Sequence, residues 1–392
     1  MPDTDVFDLM DAWGPERVVC VSDRRTGMRG VLVLDNTARG TGKGGTRMSA
    51  NLTVREVARL ARTMTWKWAA VDLFHGGAKA GILGDPNAPN KEEILRAFAR
   101  ALADQVPEHY VFGLDMGMAE SDAAIFVDEL RSRGVSTGLP RCLGGTPYDQ
   151  LGVTGFGVAE AVDAATRHLG GELTGSRVVI QGFGAVGAHA ARRLVELGAT
   201  VVGVSNAEGT VSDPDGLDVE RLLTLRAEAG DSGIRDYGLR LAPVDDALLL
   251  DCDVLVPAAR QDVIDRDLAG RLSARLVVEG ANLPTSPEAR EVLHARGVAV
   301  VPDFIANAGG IIAAAYSMDA RNSAFTVDES RIFDMVSAKL RPNAVAVLED
   351  SVRRQCTTYD AALAMAQDRV REAMRMRGQL RRDGQAVRRL SA

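Results

Sequence analysis

Two lysines, Lys67 and Lys79, stand in the stretch MTWKWAAVDLFHGGAKAGI, residues 64 to 82, among apolar residues and a glycine pair. Lysine is scarce in this chain: of 46 Lys plus Arg residues it occupies only positions 43, 67, 79, 91 and 339. Arginine stays protonated under working conditions, whereas burial or a neighbouring cation can turn an amine into a base. Three lysines between positions 43 and 79 therefore point to amine chemistry. Solvated surface lysine is the bland alternative, and the apolar, glycine-rich surroundings of Lys67 and Lys79 argue against it. Asp115 follows the run YVFGL. A carboxylate at a strand end beside small and apolar residues suits a proton carrier, with a loop-capping aspartate as the alternative.

These groups need elements to position them. Thr53 with Glu56 reads as a capping box, and Val54, Val57, Ala58, Leu60, Ala61 and Met64 follow at helical spacing, which puts Lys67 near a helix end. Gly76 and Gly77 predict a break where backbone comes close to its surroundings, offering Lys79 from a tight turn, with AKAGIL as a short buried strand. Residues 18 to 34 predict a hairpin around a Thr-Gly turn. Lys43, Gly44, Gly45 and Arg47 fall in a loop. Asn90 with Glu93 predicts a further helix, and Tyr110 to Leu114 a strand that delivers Asp115.

Gly144 to Gly157 is a glycine-rich crossing taken as a domain boundary, and Thr154 is a helix cap. Beyond it, RVVIQ predicts a strand, GFGAVG supplies G-x-G-x-x-G at Gly182, Gly184 and Gly187, AHAARRLVEL a helix and TVVGVS the next strand. Such glycines allow a tight turn and bring a pyrophosphate to free helix N–H groups, here around Ala185 and Val186. The motif is weak alone and strong inside a complete strand, helix and strand. Where NAD-specific folds place an acid at the second strand's end stands Asn206, with Glu208 two residues on, so NAD and NADP both stay open. Strands at 253–257 and 276–279 end in PAA and GANLP, at the carboxyl ends that line a ligand crevice in open α/β sheets.

At 392 residues the chain is long enough for two domains. A net charge of −7 argues against a nucleic-acid partner. The acidic N-terminus has no apolar core region and no stretch is long enough to span a bilayer, so a soluble, cytoplasmic protein is expected. Cys20, Cys142, Cys252 and Cys356 form no CxxC and read as small buried residues, and the histidines show no ligand spacing, so no metal is expected. The basic run near the C-terminus reads as the end of a helix and a loose tail.

The segments GKGGTRM, MTWK, GGAKAGI and LDMG, in this order within residues 25 to 320, resemble the dehydrogenases that act on glutamate, leucine, phenylalanine and valine. The resemblance implies an α/β protein of two domains: a substrate-binding and catalytic α/β domain at 1–150 and a Rossmann-type NAD(P)-binding domain at 151–320, with C-terminal helices from 321 to 392 returning to the first domain. It implies reversible oxidative deamination of an L-amino acid to a 2-oxo acid and ammonia, with NAD or NADP, in a closing cleft. Lys79 and Asp115 would be catalytic. Lys67 would bind the α-carboxylate and Lys43 a side-chain carboxylate, with Gly45, Gly77 and Ala314 in the same substrate site. Thr154, Gly182, Gly184, Ala185, Val186, Gly187, Asn206, Ala258, Asn282 and Asn307 would line the cofactor, Asn307 as an amide at a helix start. Lys43 favours glutamate. Ala314, where glutamate-specific members carry serine, and the altered turn at Phe74, His75 and Ala80 favour leucine, valine, phenylalanine or a specialised amino acid. A 2-hydroxy-acid dehydrogenase and a non-catalytic ligand-binding protein are the readings from other classes. The family's assembly implies a homo-oligomer.

Overall fold

The computed structural model describes residues 6–146, 151–325 and 327–380. The chain divides into two units, the first holding residues 1–147, 314–328 and 366–392, the second 148–313 and 329–365.

In the first unit Arg17–Asp23 (β1) and Met28–Asn36 (β2) form the expected antiparallel hairpin. Gly42–Lys43 (β3) and Thr46–Ser49 (β4) run in succession, parallel, along one edge of Gly76–Leu83 (β5), and β2 takes the other edge antiparallel. Lys43 and Arg47 thus lie in paired strands, and only Gly44 and Gly45 between them form the expected link. Lys79 likewise sits inside β5, because the glycine pair opens a strand instead of a turn. The reason is steric: a Cβ at Gly77 would lie 2.0 Å from Thr65 Oγ1 and 2.3 Å from the Thr65 amide, so only glycine lets β5 lie this close to its helix.

That helix, Val54–Ala70 (α1), is capped by Thr53, whose hydroxyl accepts the Glu56 amide at 3.1 Å. Its buried face presents Val57, Ala61, Thr65 and Trp68, and Trp68 Nε1 donates to the Lys43 carbonyl at 3.0 Å. Lys91–Ala101 (α2) starts at Asn90, although the Asn90 side chain makes no capping bond. Lys91 is a structural lysine, paired with Asp122 at 2.6 Å. Tyr110–Val111 (β6) pairs with β3, shorter than the strand expected from 110 to 114. Phe112 follows it, ringed by Phe98, Tyr110 and Phe126 with centroids 6.1, 5.4 and 4.3 Å away. Glu120–Leu130 (α3) covers this aromatic core.

The second unit opens with Val153–His168 (α4). Its N-cap is Gly152, at φ +69°, and Thr154 lies in the first turn instead of capping it. Left-handed backbone at that entry favours glycine over threonine. The strands and helices that follow are Arg177–Gln181 (β7), Ala185–Glu196 (α5), Thr200–Asn206 (β8), Gly209–Ser212 (β9), Val219–Ala229 (α6), Val254–Pro257 (β10), Arg266–Ala269 (α7), Leu276–Val278 (β11), Pro287–Ala295 (α8) and Ala299–Val301 (β12). The sheet has the order β12-β11-β10-β7-β8-β9. All pair parallel except the edge strand β9. Buried on both faces, such strands read as the continuous apolar runs seen in the sequence.

Asp303–Ala306 (α9), Gly309–Ala320 (α10), Glu329–Arg354 (α11) and Thr358–Met376 (α12) complete the chain. The C-terminal helices correct the expected domain plan. Rather than returning to the first domain, α11 belongs to the second unit, because α4 buries two acids, Glu160 and Asp163, that need cations. Arg341 of α11 bonds to both, and Phe333 meets Phe156 edge-on at 4.8 Å. Of the segment 321–392, residues 321–328 and the chain from 366 on join the first unit. There Arg369 donates to the carbonyls of Ala69 and Ala70 at 2.8 and 2.7 Å, covering the last turn of α1. Cys20 and Cys142 are exposed rather than buried, and Cys252 is the buried one. No described helix is long and apolar enough to cross a membrane. The end of the basic tail and residues 147–150 of the glycine-rich crossing lie outside the described residues.

Candidate active site

The first unit gathers Lys79 and Asp115. Lys79 points from β5 with 6% of its surface exposed, and its Nζ lies 2.7 Å from Asp115 Oδ2. Asp115 arrives on extended chain laid along β4, where the Thr46 amide donates to the Gly113 carbonyl at 2.7 Å and the Met48 amide to the Met116 carbonyl at 3.0 Å. Gly45 makes room for it: a Cβ there would lie 2.5 Å from the Leu114 carbonyl oxygen and 2.7 Å from the Asp115 Cβ.

Arg47 is a participant that sequence reasoning missed. Its Nε donates to Asp115 Oδ2 at 2.9 Å and its Nη1 to Glu56 Oε1 at 2.7 Å. Glu56, read as half of a capping box, therefore also anchors the arginine. Lys79 and Arg47 share one oxygen of Asp115, which leaves Oδ1 for a third group. Only the position of Arg47 inside GKGGTRM could have drawn attention to it.

The electrostatics set the two partners apart. Burial lowers the Lys79 ammonium from its ordinary 10.5; Asp115 pulls it back, while Arg47 and Lys67 push it further down. Burial raises the Asp115 carboxyl, yet Lys79 and Arg47 outweigh it and hold the group below its ordinary 3.8. An ionised carboxylate thus stands against an amine made easier to deprotonate, the combination general acid-base work requires. Lys67 is half-buried near the end of α1, and its charge reaches Lys79.

Lys43 has a different setting. It is 3% exposed, and its Nζ donates to the carbonyls of Val111 and Phe112 at 3.3 and 2.9 Å and to Thr137 Oγ1 at 2.6 Å. Burial, with the charges of Arg321 and Lys79 after it, brings it down to about 7. The ammonium's three protons are all taken by the protein's own oxygens. Ala314 lies half-buried on α10, and the small pocket by Thr137 is lined further along that segment, by Ser317, Ala320 and Arg321. Arg321 escaped sequence reasoning because nothing local links it to Lys43. His75, with burial, Lys43 and Arg321 against its charge, falls to about 4 and stays neutral.

The second unit assembles the remaining candidates. Gly182 has φ +102°, and at Gly187 a Cβ would lie 1.9 Å from the Gly182 carbonyl oxygen, whereas Gly184 has nothing within 4 Å. The first and third glycines thus serve the turn and the helix–strand approach, and the second leaves an open face before the N-terminus of α5, where Ala185 is exposed and Val186 half-buried. Free helix N–H groups behind an open glycine have a geometry that could hold a pyrophosphate. Asn206 ends β8 with its amide donating to the Asp231 carbonyl at 2.7 Å and its oxygen accepting the Glu208 amide at 2.9 Å; Glu208 is ion-paired with Arg235. A Cβ on Gly280 would touch that of Ala258 at 3.0 Å, and one on Gly310 would touch Thr154 Oγ1 at 3.2 Å. Asn307 closes α9 two residues before α10 begins, and donates to Asn282 Oδ1 at 3.0 Å. Among the described residues no three His, Cys, Asp or Glu side chains converge as metal ligands.

A dinucleotide-type sheet and a buried lysine paired with a half-buried aspartate fit a dehydrogenase-like protein. Residues 15–132 match the family described as Glu/Leu/Phe/Val dehydrogenase, dimerisation domain, and residues 144–378 that described as Glutamate/Leucine/Phenylalanine/Valine dehydrogenase; the chain belongs to this family. It is 36% identical to an NADP-specific glutamate dehydrogenase of Saccharolobus shibatae over 95% of this chain and 93% of that one. It is 35% identical to an NAD-specific glutamate dehydrogenase of Staphylococcus aureus over 88% of this chain and 84% of that one. Among solved structures, the hetero-hexameric glutamate dehydrogenase of Thermus thermophilus in its leucine-bound form matches with a TM-score of 0.78 at 32% identity, covering 95% of this chain and 92% of that one. The glutamate dehydrogenase of Peptoniphilus asaccharolyticus matches with a TM-score of 0.82 at 26% identity, covering 95% and 94%.

Proposed function

We propose that this chain catalyses the reversible oxidative deamination of an L-amino acid: amino acid, NAD(P)+ and water give the 2-oxo acid, ammonia and NAD(P)H. The observation that carries the reading is the 2.7 Å contact between Lys79 and Asp115 in a buried site. A nicotinamide held by the residues of the second unit would supply the hydride acceptor for oxidation at Cα, so that the substrate becomes an imine. Lys67 binds the α-carboxylate. Lys79, in its neutral form, takes a proton from water attacking the imine carbon and then, charged, steadies the carbinolamine. Asp115 carries the proton that the departing amine needs, on the oxygen its two cations leave open. Removing bulk water from around these groups strengthens each step.

The residues of the second unit hold the cofactor in this reading. Gly182, Gly184 and Gly187, with the N-terminus of α5, take the pyrophosphate, and Thr154, Ala258, Asn282 and Asn307 lie by the nicotinamide and its ribose. Asn206 meets the adenine-side ribose. We assign the protein to the cytoplasm as a closed homo-oligomer, which its free cysteines and the dimerisation-domain match support.

Glutamate is the favoured substrate, supported by Lys43 and Arg321 beside the pocket at Thr137. A second reading has its own observation: the Lys43 ammonium is already occupied by three protein oxygens, and Ala314 offers no hydroxyl, which suits leucine, valine, phenylalanine or a specialised amino acid. Oxidation of NADH and NADPH by the purified protein, with ammonia and a panel of 2-oxo acids, tests both. Turnover with 2-oxoglutarate supports glutamate, turnover confined to apolar oxo acids supports the second reading, and ammonia-independent turnover or none refutes deamination.

A further inference from the structure

Behind the loop that carries Asn282 lies a pair of acids that the proposed mechanism leaves unused. Glu279 follows β11 and Asp303 opens α9; they are 1% and 4% exposed. Each uses one oxygen to hold the chain. Glu279 Oε2 accepts the Asp303 amide at 2.9 Å, and Asp303 Oδ2 accepts the Leu283 amide at 2.9 Å. The other oxygens, Glu279 Oε1 and Asp303 Oδ1, are buried without a partner. Leu283 has φ +50°, a left-handed backbone that a branched residue keeps only when its surroundings hold it.

The groups facing Glu279 come from every side. Asp303 is on α9, Thr285 follows the loop, Arg290 and His294 are on α8, and Tyr359 is at the start of α12. Arg290 stacks its guanidinium 3.7 Å from the Tyr359 ring centre, and among the described residues no ion pair joins it to Glu279. A cavity of about 20 Å3, lined by Glu279, Arg290, His294 and Tyr359 among others, opens beside the pair. That is room for a water molecule and for little else. Two carboxylates so deeply buried, and joined through one backbone hydrogen bond, are costly to ionise together.

We infer that Glu279 carries a proton and, as a neutral acid accepting the Asp303 amide, acts as a positioning device, pinning the start of the Gly280–Leu283 loop to the first turn of α9 and so fixing Asn282 against Asn307. Burial, with the charge of Asp303 next, lifts the Glu279 carboxyl to about 7, so the device works below neutrality and loosens above it. The inference rests on Asn282 and Asn307 forming part of the cofactor wall, but its test need not. Glu279 binds a proton more tightly in the folded protein than in the unfolded one. It therefore lowers stability as pH rises from about its ordinary 4.5 to about 7, and that penalty persists at higher pH.

Glu279→Gln imitates the protonated form, and three readouts on the full chain separate the possibilities. The first is hydrogen exchange in residues 279–285, corrected for the intrinsic rate; the second is NAD(P)H affinity; the third is Tm. Between pH 6.5 and 9 the unaltered protein should exchange faster in this loop and lose roughly tenfold in cofactor affinity as the competent loop becomes a minor population. E279Q should hold both steady and exceed the unaltered protein in Tm at pH 8.5, with the margin shrinking towards pH 5. An E279Q protein that fails to fold, is the less stable one at pH 8.5, or follows the same pH course overturns the inference. If no NAD(P)H binds at any pH, the cofactor reading fails, while exchange and Tm still decide for or against the buried proton.

Discussion

Lys43 and Lys79 sit on adjacent strands, each almost wholly buried, and differ in what faces the ammonium. Lys79 meets a carboxylate; Lys43 meets two carbonyls and a hydroxyl. Dipoles offset less of the cost of burying a charge than an opposite charge does. Lys43 accordingly falls to about 7, whereas Asp115 draws Lys79 part of the way back towards its ordinary value. Burial alone therefore does not make a catalytic lysine. One has a partner that can exchange protons with it, and the other has acceptors that hold it in place.

The strongest way to break this contrast is at the ion pair. Lys79→Ala and Asp115→Asn should each lower kcat by ~10² to 10⁴ while circular dichroism stays native; if either leaves kcat within a few-fold, the pair is structural. Arg47→Gln should come next. Loss of a charge-assisted bond is worth roughly 10- to 100-fold in kcat/KM, and with one cation gone the Asp115 carboxyl should titrate higher, moving the acid limb of the pH–rate profile upward. A uniform loss with an unmoved acid limb would mean that Arg47 only braces the fold.

Lys43→Met sharpens the comparison from the other side. It should cost about 1 to 3 kcal/mol by stranding buried acceptors. The folded Lys43 binds its proton less tightly than the unfolded one, so it adds stability as pH rises from about 7 to about its ordinary 10.5. Chemical denaturation across that range should show the rise in the unaltered protein and its loss in Lys43→Met. If the variant keeps its stability but loses 2-oxoglutarate alone, Lys43 reads the substrate and its bonds to the fold are incidental.

What could be read from the sequence was what short-range chemistry dictates. Thr53 caps its helix, residues 17–36 form the hairpin and Gly182 to Gly187 take their three distinct parts, because each depends on neighbours a few residues away. Gly76 and Gly77 misled because glycine permits both a turn and a close approach, and only the position of Thr65 decides between them. The place of α11 was hidden because an amphipathic helix does not name the acids it will neutralise. Arg47, Arg321, and the pairing of Glu279 with Asp303 depend on segments that meet only in the fold.

The cover that Arg369 gives to Ala69 and Ala70 joins residues about 300 apart in the chain. During synthesis the second unit can draw most of its parts from one continuous stretch, but the helix that carries Lys67 keeps an open end until α12 has emerged. A chain cut short near residue 365 would carry every residue assigned here to catalysis and cofactor binding, yet leave α1 fraying beside its lysine. Order on the substrate side is thereby tied to α12, a helix made about 300 residues after the one it covers.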